Sequence, residues 1–175
     1  IYPYIENGAK LVGIEPSCVL GFVGDFEDLS SMPDKARKIS ENTMLIEQFF
    51  MYAIETNGDV KFTNPPDGKR ALFHGHCHQK SLLGTSTAME VLRRIPGLES
   101  VEIKSGCCGM AGSFGFYREH YEISMEIGEL TLFPAIRKEE EDVIIISEGV
   151  SCRQQIQQGT RKDSRHLVEV LAEYL

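Results

Sequence analysis

Four short apolar runs, each followed within a few residues by cysteine, constrain the fold of this chain most strongly. The runs are Leu11–Ile14, Ala71–Phe73, Val101–Ile103 and Val143–Ile146. Short, continuously apolar runs are typical of strands buried in a parallel sheet. Because helical patterns separate these runs, the sequence predicts an α/β fold with a mostly parallel sheet of about four strands, flanked by helices.

The segments between the strands carry amphipathic patterns of helical period. They predict four helices, over Pro33–Ile54, Thr85–Ile95, Glu119–Lys138 and Ser164–Leu175. Pro134 predicts a kink in the third helix, and Ser164 is the predicted N-cap of the last one. The sequence NPPDG at Asn64–Gly68 predicts a turn ahead of the second strand.

All five cysteines lie just after predicted strands. Cys18 follows the first strand, Cys77 the second, Cys107 and Cys108 the third, and Cys152 the fourth. In an open α/β sheet, ligands bind beyond the carboxyl ends of the strands. Parallel strands bring these ends to one edge, so the sequence predicts that the five thiols converge on one site.

Length, charge and hydropathy exclude several classes of protein. A chain of 175 residues has the size of one domain. Its net charge of −8 argues against a nucleic-acid partner. It has no apolar run long enough to span a membrane and no secretory signal, so we expect reduced thiols and a cytoplasmic location. Because the chain opens on Ile1, we interpret it as a fragment of a longer protein.

Five converging thiols suit an iron–sulfur cluster better than a structural zinc ion. Structural zinc takes four ligands, commonly from C-x-x-C pairs, and no such pair occurs here. A cluster has several iron atoms, so the adjacent Cys107 and Cys108 can ligate different irons or bridge two of them. Three nearby glycines are predicted to let the backbone approach the cofactor and direct amide donors toward sulfur: Gly106, Gly109 and Gly112.

Other polar residues near the strand ends have less specific interpretations. His76 and His78 flank Cys77 and are candidate ligands, with hydrogen bonding or solvent exposure as the alternative. Glu15 and Glu148 are interpreted as surface carboxylates or loop caps. The glycine-rich segment after Cys108 lacks the lysine of a phosphate-binding loop. We find no convincing catalytic base or nucleophile in the sequence.

Three motifs give the chain a family resemblance. The sequences HGHCHQK, SGCCGMAGSFGF and SEGVSCRQQI resemble the cysteine-rich CCG domain. That family includes the catalytic subunit of heterodisulfide reductase, lactate-utilisation proteins and the iron–sulfur subunits of glycolate oxidase and anaerobic glycerol-3-phosphate dehydrogenase. The chain is also similar to the C-terminal part of FAD-linked oxidases, a group that includes D-lactate and D-2-hydroxyglutarate dehydrogenases.

The resemblance implies a ligand set with one departure. Cys77, Cys107, Cys108 and Cys152 match the family pattern, whereas Gln155 stands where the last cysteine would be. Cys18 is the candidate for the missing thiolate, as the closing cysteine of a preceding half-repeat that ends within residues 1–20. Residues 1–175 are accordingly interpreted as one cysteine-rich domain that binds a cluster of the 4Fe–4S kind.

The resemblance also implies a role and partners. We expect an electron-transfer module of an FAD-linked 2-hydroxy-acid dehydrogenase, with FAD and ferredoxin-like domains upstream and a quinone or other carrier as acceptor. The protein is then cytoplasmic or peripheral at the inner membrane face, and the fragment alone is inactive. The alternatives are a zinc-stabilised structural or docking domain, with zinc in an isolated fragment, and thiol–disulfide chemistry at Cys107 and Cys108.

Overall fold

The computed structural model describes residues 1–58, 60–63 and 68–175, so the turn predicted at Asn64–Gly68 lies mostly outside the described residues. The strands are β1 (Leu11–Gly13), β2 (Thr43–Leu45), β3 (Arg70–His74), β4 (Glu99–Glu102) and β5 (Ile144–Ser147). The helices are α1 (Tyr2–Glu6), α2 (Pro16–Val19), α3 (Phe26–Leu29), α4 (Pro33–Ser40), α5 (Ile46–Asn57), α6 (Cys77–Leu82), α7 (Ser86–Arg93), α8 (Tyr121–Glu129), α9 (Leu132–Arg137), α10 (Val150–Thr160) and α11 (Leu167–Tyr174).

The strands form two small parallel sheets. Strand β1 pairs with β2, and β3 lies between β4 and β5. An isolated parallel bridge joins Ile146 to Arg165 on the free side of β5. The α/β class with parallel strands is confirmed, and a strand forms at each of the four predicted runs. These strands are divided between two sheets, because β1 finds its partner in β2, a strand that the sequence pattern did not predict.

The prediction of one continuous helix over Pro33–Ile54 is wrong. Helix α4 ends at Ser40, β2 follows, and α5 begins at Ile46. The Thr43 hydroxyl donates to the Ile39 carbonyl at 2.7 Å, which satisfies an acceptor at the end of α4. The helical spacing of apolar residues continues through this break, so periodicity alone could not reveal it. Pairing with β1 decides the local structure.

Two predicted details of the later helices also differ. The stretch Glu119–Lys138 breaks between α8 and α9, and Pro134 lies in the first turn of α9, where its missing N–H costs no helical hydrogen bond. Ser164 is not the N-cap of α11. His166 is, and its Nδ1 accepts from the Val168 N–H at 3.0 Å.

Side chains of the three-stranded sheet alternate between two cores. Ala71 and Phe73 pack on one face with α7 and α11, whereas Leu72 packs on the other face with α9 and α10. This alternation follows from the two-residue period of a strand. Because both faces are covered, the edge at the carboxyl ends is left for a site.

Two hydrogen bonds join the carboxyl end of β1 to the second sheet. The Glu15 carboxylate accepts the Val150 N–H at 2.9 Å, at the start of α10. His166 Nε2 contacts the Ile14 carbonyl at 2.7 Å and donates to it, because its Nδ1 is the acceptor in the helix cap. The carboxyl ends of β1 and β5 are therefore neighbours. Among the described residues, no helix combines the length and apolar character that crossing a bilayer demands.

Candidate metal centre

Four of the five cysteines meet at the carboxyl edge of the three-stranded sheet. Cys77 begins α6 just after β3, Cys107 and Cys108 follow β4, and Cys152 lies in the first turn of α10 after β5. Their thiols interact in sequence, Cys77 with Cys107, Cys107 with Cys108, and Cys108 with Cys152. All are free thiols, so this edge presents a continuous row of thiols that could bind a metal.

Hydrogen bonds among the four cysteines favour ionisation of two of them and oppose ionisation of the other two. The hydrogen bond from Cys108, followed by that from Cys77, lowers the pKa of Cys107. The hydrogen bond from Cys108 lowers the pKa of Cys152 to about 5, although burial opposes this shift. The pKa of Cys77 is raised by its hydrogen bond to Cys107 and by burial. Because metals bind thiolates, Cys107 and Cys152 are prepared for ligation.

The loop after Cys108 follows the backbone path that its glycines allow. The Gly109 N–H donates to Cys107 Sγ at 3.3 Å, as expected of an amide that stabilises a thiolate. Gly109 has φ +101°, and a Cβ there would overlap the Ser124 carbonyl. Gly112 also requires a positive φ, of +66°. Gly106 has neither a positive φ nor a close neighbour, so its cofactor role stays a prediction without a steric reason.

Lys80 holds the start of this loop. Its Nζ donates to the carbonyls of Ser105 at 2.7 Å and Gly106 at 3.0 Å. Burial lowers the pKa of Lys80, while the surrounding thiols and Glu102 oppose the shift. The ammonium therefore fixes the backbone that carries Cys107 and places a positive charge beside the sulfur row.

His74 is the first histidine of the HGHCHQK motif and was not predicted as a ligand, but it forms a compact candidate ligand group with Cys108 and Cys152. A ring nitrogen of His74 and the Sγ atoms of Cys108 and Cys152 all lie within 4.8 Å of one another, and the three residues are buried. His74 Nδ1 contacts the Ser105 hydroxyl at 2.8 Å, whereas the buried Nε2 has no hydrogen bond of normal geometry. The available signal in the sequence was a polar residue that ends an otherwise apolar strand, ALFH.

The other candidate histidines have different roles in the structure. His76 is the N-cap of α6, and its Nδ1 accepts from the His78 N–H at 3.2 Å. His78 is half-buried beside Cys77. A Cβ on Gly149 would lie 2.6 Å from His76 Cδ2 and 3.2 Å from Cys152 Sγ. Glycine at this position therefore lets the β5–α10 turn approach the thiols.

Gln155 stands at the position where the family pattern has its last cysteine. In this structure its role is structural. It is buried one turn after Cys152 on α10. Its Nε2 donates to the Ser124 carbonyl at 2.9 Å and lies 3.0 Å from the Ser124 hydroxyl. Gln155 thus ties α8 to α10 against the loop of Gly109.

A buried carboxyl pair lies behind the site, and it corrects the interpretation of Glu148 as a surface residue. Gln79 Nε2 donates to both Glu47 and Glu148 at 2.7 Å, and all three side chains are buried. Burial, and then the charge of Glu47, raise the pKa of Glu148 well above its usual range. We infer that Glu148 is protonated and faces Glu47. Glu15, in contrast, is the loop cap that the sequence predicted, since it accepts the Val150 N–H.

Cys18 stands apart from the other four cysteines. It is exposed, and the interactions that link Cys77, Cys107, Cys108 and Cys152 do not include it. Its helix α2 packs against α6, so Cys18 lies on the side of the site where Cys77 begins. A shallow depression of about 330 Å³ beside it is partly lined by Val19 and Phe22. Its role as a fifth ligand stays a prediction.

The part of the chain that carries these four cysteines is similar to known proteins. Residues 71–157 match the family model described as CCG, cysteine-rich domain. The chain is 35% identical over 169 residues to one of the subunits of anaerobic glycerol-3-phosphate dehydrogenase from Escherichia coli (strain K12), covering 97% of this chain and 41% of that protein. It is 25% identical over 171 residues to D-2-hydroxyglutarate dehydrogenase of Pseudomonas putida, covering 97% and 16%.

A third relative is lactate utilization protein A of Bacillus licheniformis, 33% identical over 115 residues, which cover 62% of this chain and 47% of that protein. The chain thus spans less than half the length of these curated relatives. No solved structure gave a significant match. These relatives include a dehydrogenase and a subunit of another, as the family resemblance of the sequence implied.

Proposed function

We propose that this chain has an electron-transfer role within a flavin-dependent dehydrogenase. Its residues 71–157 belong to the CCG cysteine-rich domain family. The residues proposed to hold an iron–sulfur cluster are Cys77, Cys107, Cys108 and Cys152, with Cys18 as the fifth ligand. The observation that carries this proposal is the row of four interacting thiols at one sheet edge.

The donor set of the edge fits a thiolate-bound cluster. Four sulfurs come from three strand ends, and two of them are disposed to ionise. The Gly109 amide points at Cys107 sulfur, and the buried His74 Nε2 has no hydrogen bond of normal geometry. When bound, an iron–sulfur cluster supplies one-electron transfer at a potential set by hydrogen bonds, charge and exposure.

The protein's own residues have three tasks in this role. Gly109 and its neighbours direct backbone amides to sulfur, which stabilises thiolate charge. Lys80 holds the Ser105–Gly106 backbone in place and offsets negative charge. Cys77 and Cys107, which are only partly buried or exposed, form the side from which an electron carrier can approach.

The finer assignment follows the relatives. We propose that the electrons come from FAD, which oxidises a 2-hydroxy acid such as lactate, glycolate or 2-hydroxyglutarate, and pass to a quinone. Relatives that include D-2-hydroxyglutarate dehydrogenase and lactate utilization protein A support this class of substrate. We propose that FAD and ferredoxin-like domains lie upstream in the same protein, a proposal supported by D-2-hydroxyglutarate dehydrogenase, of which this chain covers 16%. We place this activity in the cytoplasm, at the inner face of the membrane that holds the quinone.

A zinc-stabilised structural domain is the second candidate. His74, Cys108 and Cys152 approach one another within 4.8 Å. Two ligands of one zinc ion with bonds of about 2.3 Å lie at most about 4.6 Å apart, so these three groups are close to the spacing that a single ion requires. This compact group therefore suits a single ion as well as a corner of a cluster.

Anaerobic purification separates the two candidates. We expect iron and acid-labile sulfide in comparable amounts, a brown colour, and a reduced state with an electron paramagnetic resonance signal. Stoichiometric zinc without sulfide would instead establish the structural role. Disulfide-reductase turnover by metal-free protein would indicate thiol–disulfide chemistry at Cys107 and Cys108, and would contradict the electron-transfer role.

A further inference from the structure

We propose that Nε2 of His74 is a direct ligand of the metal centre held by Cys108 and Cys152. The inference rests on the proposed function for the presence of a metal centre. It adds a nitrogen ligand, from a histidine that was not predicted as a candidate, to the five cysteines proposed to hold the cluster.

The position of His74 is fixed by the fold. It is the last residue of β3, the central strand, and its side chain is completely buried. A ring nitrogen lies within 4.8 Å of both Cys108 Sγ and Cys152 Sγ. Since β3 is held by β4 on one side and β5 on the other, the backbone that carries the imidazole is fixed at this edge.

The two ring nitrogens have different surroundings. Nδ1 lies 2.8 Å from the Ser105 hydroxyl, while the buried Nε2 has no hydrogen bond of normal geometry, although the His74 side chain interacts with the Cys152 thiol. Histidines that bind metals commonly donate their second N–H to an oxygen, which fixes the tautomer and directs the free lone pair at the metal. In the tautomer whose Nδ1–H donates to Ser105, Nε2 keeps a free lone pair, and this is the nitrogen that we assign to the metal.

A buried nitrogen without a partner is unfavourable, so native proteins rarely keep one. Hydrogen bonding to a thiolate is one remedy, and metal ligation is the other. Ligation accounts for more of the observations, because it uses the Ser105 contact to set the tautomer and because two sulfurs, rather than one, lie close to the same ring.

The need for a further ligand is visible on α10. Gln155 stands one turn beyond Cys152 and commits its amide nitrogen to Ser124, so this position supplies no thiolate. His74 approaches Cys152 from the neighbouring strand and offers a donor in its place. In iron–sulfur centres, histidine in place of cysteine raises the reduction potential, because the neutral ring replaces a charged thiolate. The same direction is expected here.

Pulsed electron paramagnetic resonance tests this ligation directly. The protein is prepared anaerobically with natural-abundance or ¹⁵N-labelled histidine, and brought to a paramagnetic state. We expect a nitrogen hyperfine coupling that changes with the isotope and is lost in His74→Cys and His74→Ala. His78→Gln is the matched control, since His78 lies next to Cys77 and is not part of the buried group; the coupling must survive there.

Two further variants separate ligation from positioning. His74→Cys restores a ligand and is expected to retain iron with a more negative potential, whereas His74→Ala loses most of the iron. Ser105→Ala is expected to weaken metal binding by roughly 10- to 100-fold, in the manner of a lost partner of a metal-bound histidine. A coupling absent from the unsubstituted protein, or preserved in His74→Cys, would overturn the proposal.

The outcome is separable from that of the proposed function. If the anaerobic protein holds no iron or sulfide, the electron-transfer role fails, and Co²⁺ alone becomes the probe. The visible spectrum of bound Co²⁺ depends on the number of sulfur and nitrogen ligands. A spectrum that gains thiolate-to-cobalt intensity in His74→Cys supports nitrogen ligation, and a spectrum identical to that of the unsubstituted protein excludes it.

Discussion

The β1–α2 turn and the β5–α10 turn are built alike but place their cysteines differently. Each follows a parallel strand, continues with a glutamate, and begins a helix with cysteine in its first turn; the cysteines are Cys18 and Cys152. Cys18 is exposed, whereas Cys152 is 1% exposed and contacts Cys108. The local motif therefore does not decide whether a thiol joins the row of interacting cysteines.

The difference lies in what surrounds each turn. Strand β1 belongs to a two-stranded sheet, and α2 has four residues. Strand β5 pairs with β3, whose carboxyl end leads to Cys77, and α10 has 11 residues. Arg153 further fastens the second turn, since its guanidinium donates to the Ser147 carbonyl at 3.0 Å and the Glu148 carbonyl at 2.7 Å.

The two turns also support each other. Glu15 from the first turn accepts the Val150 N–H, the first amide of the helix that carries Cys152. A carboxylate at a helix N-terminus is favourable because it satisfies a free donor and opposes the helix dipole. The exposed turn thus stabilises the buried one, even though its own cysteine lies outside the row of thiols.

Serine substitutions give the largest expected contrast between the turns. Cys152→Ser removes a central, buried ligand and is expected to abolish most metal binding, measured as iron per chain after anaerobic purification. Cys18→Ser is expected to lower iron per chain less, because the four interacting thiols remain. Iron equal to that of the unsubstituted protein in Cys18→Ser would contradict the fifth-ligand prediction for Cys18.

Alanine substitutions at the turn glycines give the next contrast. Gly13→Ala overlaps the Val19 side chain, and Gly149→Ala crowds His76 and Cys152. Overpacking of this kind costs about 1–3 kcal/mol, so both variants should unfold at lower denaturant concentration. Only Gly149→Ala should also reduce iron per chain. Equal metal loss in the two variants would show that general stability, rather than the Cys152 turn, controls binding.

The two glutamates provide a smaller contrast that depends on pH. Burial raises the pKa of Glu148, so the folded protein holds this proton more tightly than the unfolded chain does. The resulting stability is complete below the unfolded pKa of about 4.3 and is lost as pH rises through the raised pKa, at about 1.4 kcal/mol for each pKa unit. We therefore expect Glu148→Gln to reduce the alkaline decline in unfolding free energy, measured in urea from pH 5 to 9.

Glu15→Gln is the control for this experiment. Its carboxylate is partly exposed and caps α10, so its replacement removes a charge near the same edge without removing a buried acid. If Glu15→Gln flattens the alkaline decline as much as Glu148→Gln does, the Glu47–Glu148 pair is not its source.

His166→Ala should give the smallest effect. It removes the N-cap of α11 and the hydrogen bond to Ile14, and the loss of a cap costs about 1 kcal/mol. Hydrogen exchange should increase in the Ile14–Cys18 segment and at the start of α11, with less change around Cys152. Faster exchange in the Cys152 turn alone would contradict the proposed link between the two sheets.

Much of the fold was predictable because its signals are local. Apolar runs marked β1, β3, β4 and β5, and an amphipathic pattern marked α7. Strand β2 was missed, because its three residues fit a helical period and became a strand only by pairing with β1. The kink predicted at Pro134 was also misplaced. Proline is compatible with the first turn of a helix, so Pro134 lies inside α9 and the chain breaks before it.

The candidate site was predictable in its sulfur atoms and not in its other groups. Strand order alone brought Cys77, Cys107, Cys108 and Cys152 to one edge. His74 and Glu148 were missed or misread, because burial of a polar side chain depends on segments far away in the chain. Gln79 illustrates this dependence, since it joins Glu47 of α5 to Glu148 after β5.

The sequence by itself determined the parallel α/β arrangement and the edge on which the cysteines lie, because strand direction and strand ends are properties of short segments. Only the tertiary structure decided that Cys152 is buried while Cys18 is exposed. It also decided that His74 lies beside Cys108 and Cys152 and that burial raises the pKa of Glu148. The physical reason is that exposure, hydrogen-bond partners and pKa depend on packing between elements that the chain brings together only when it folds.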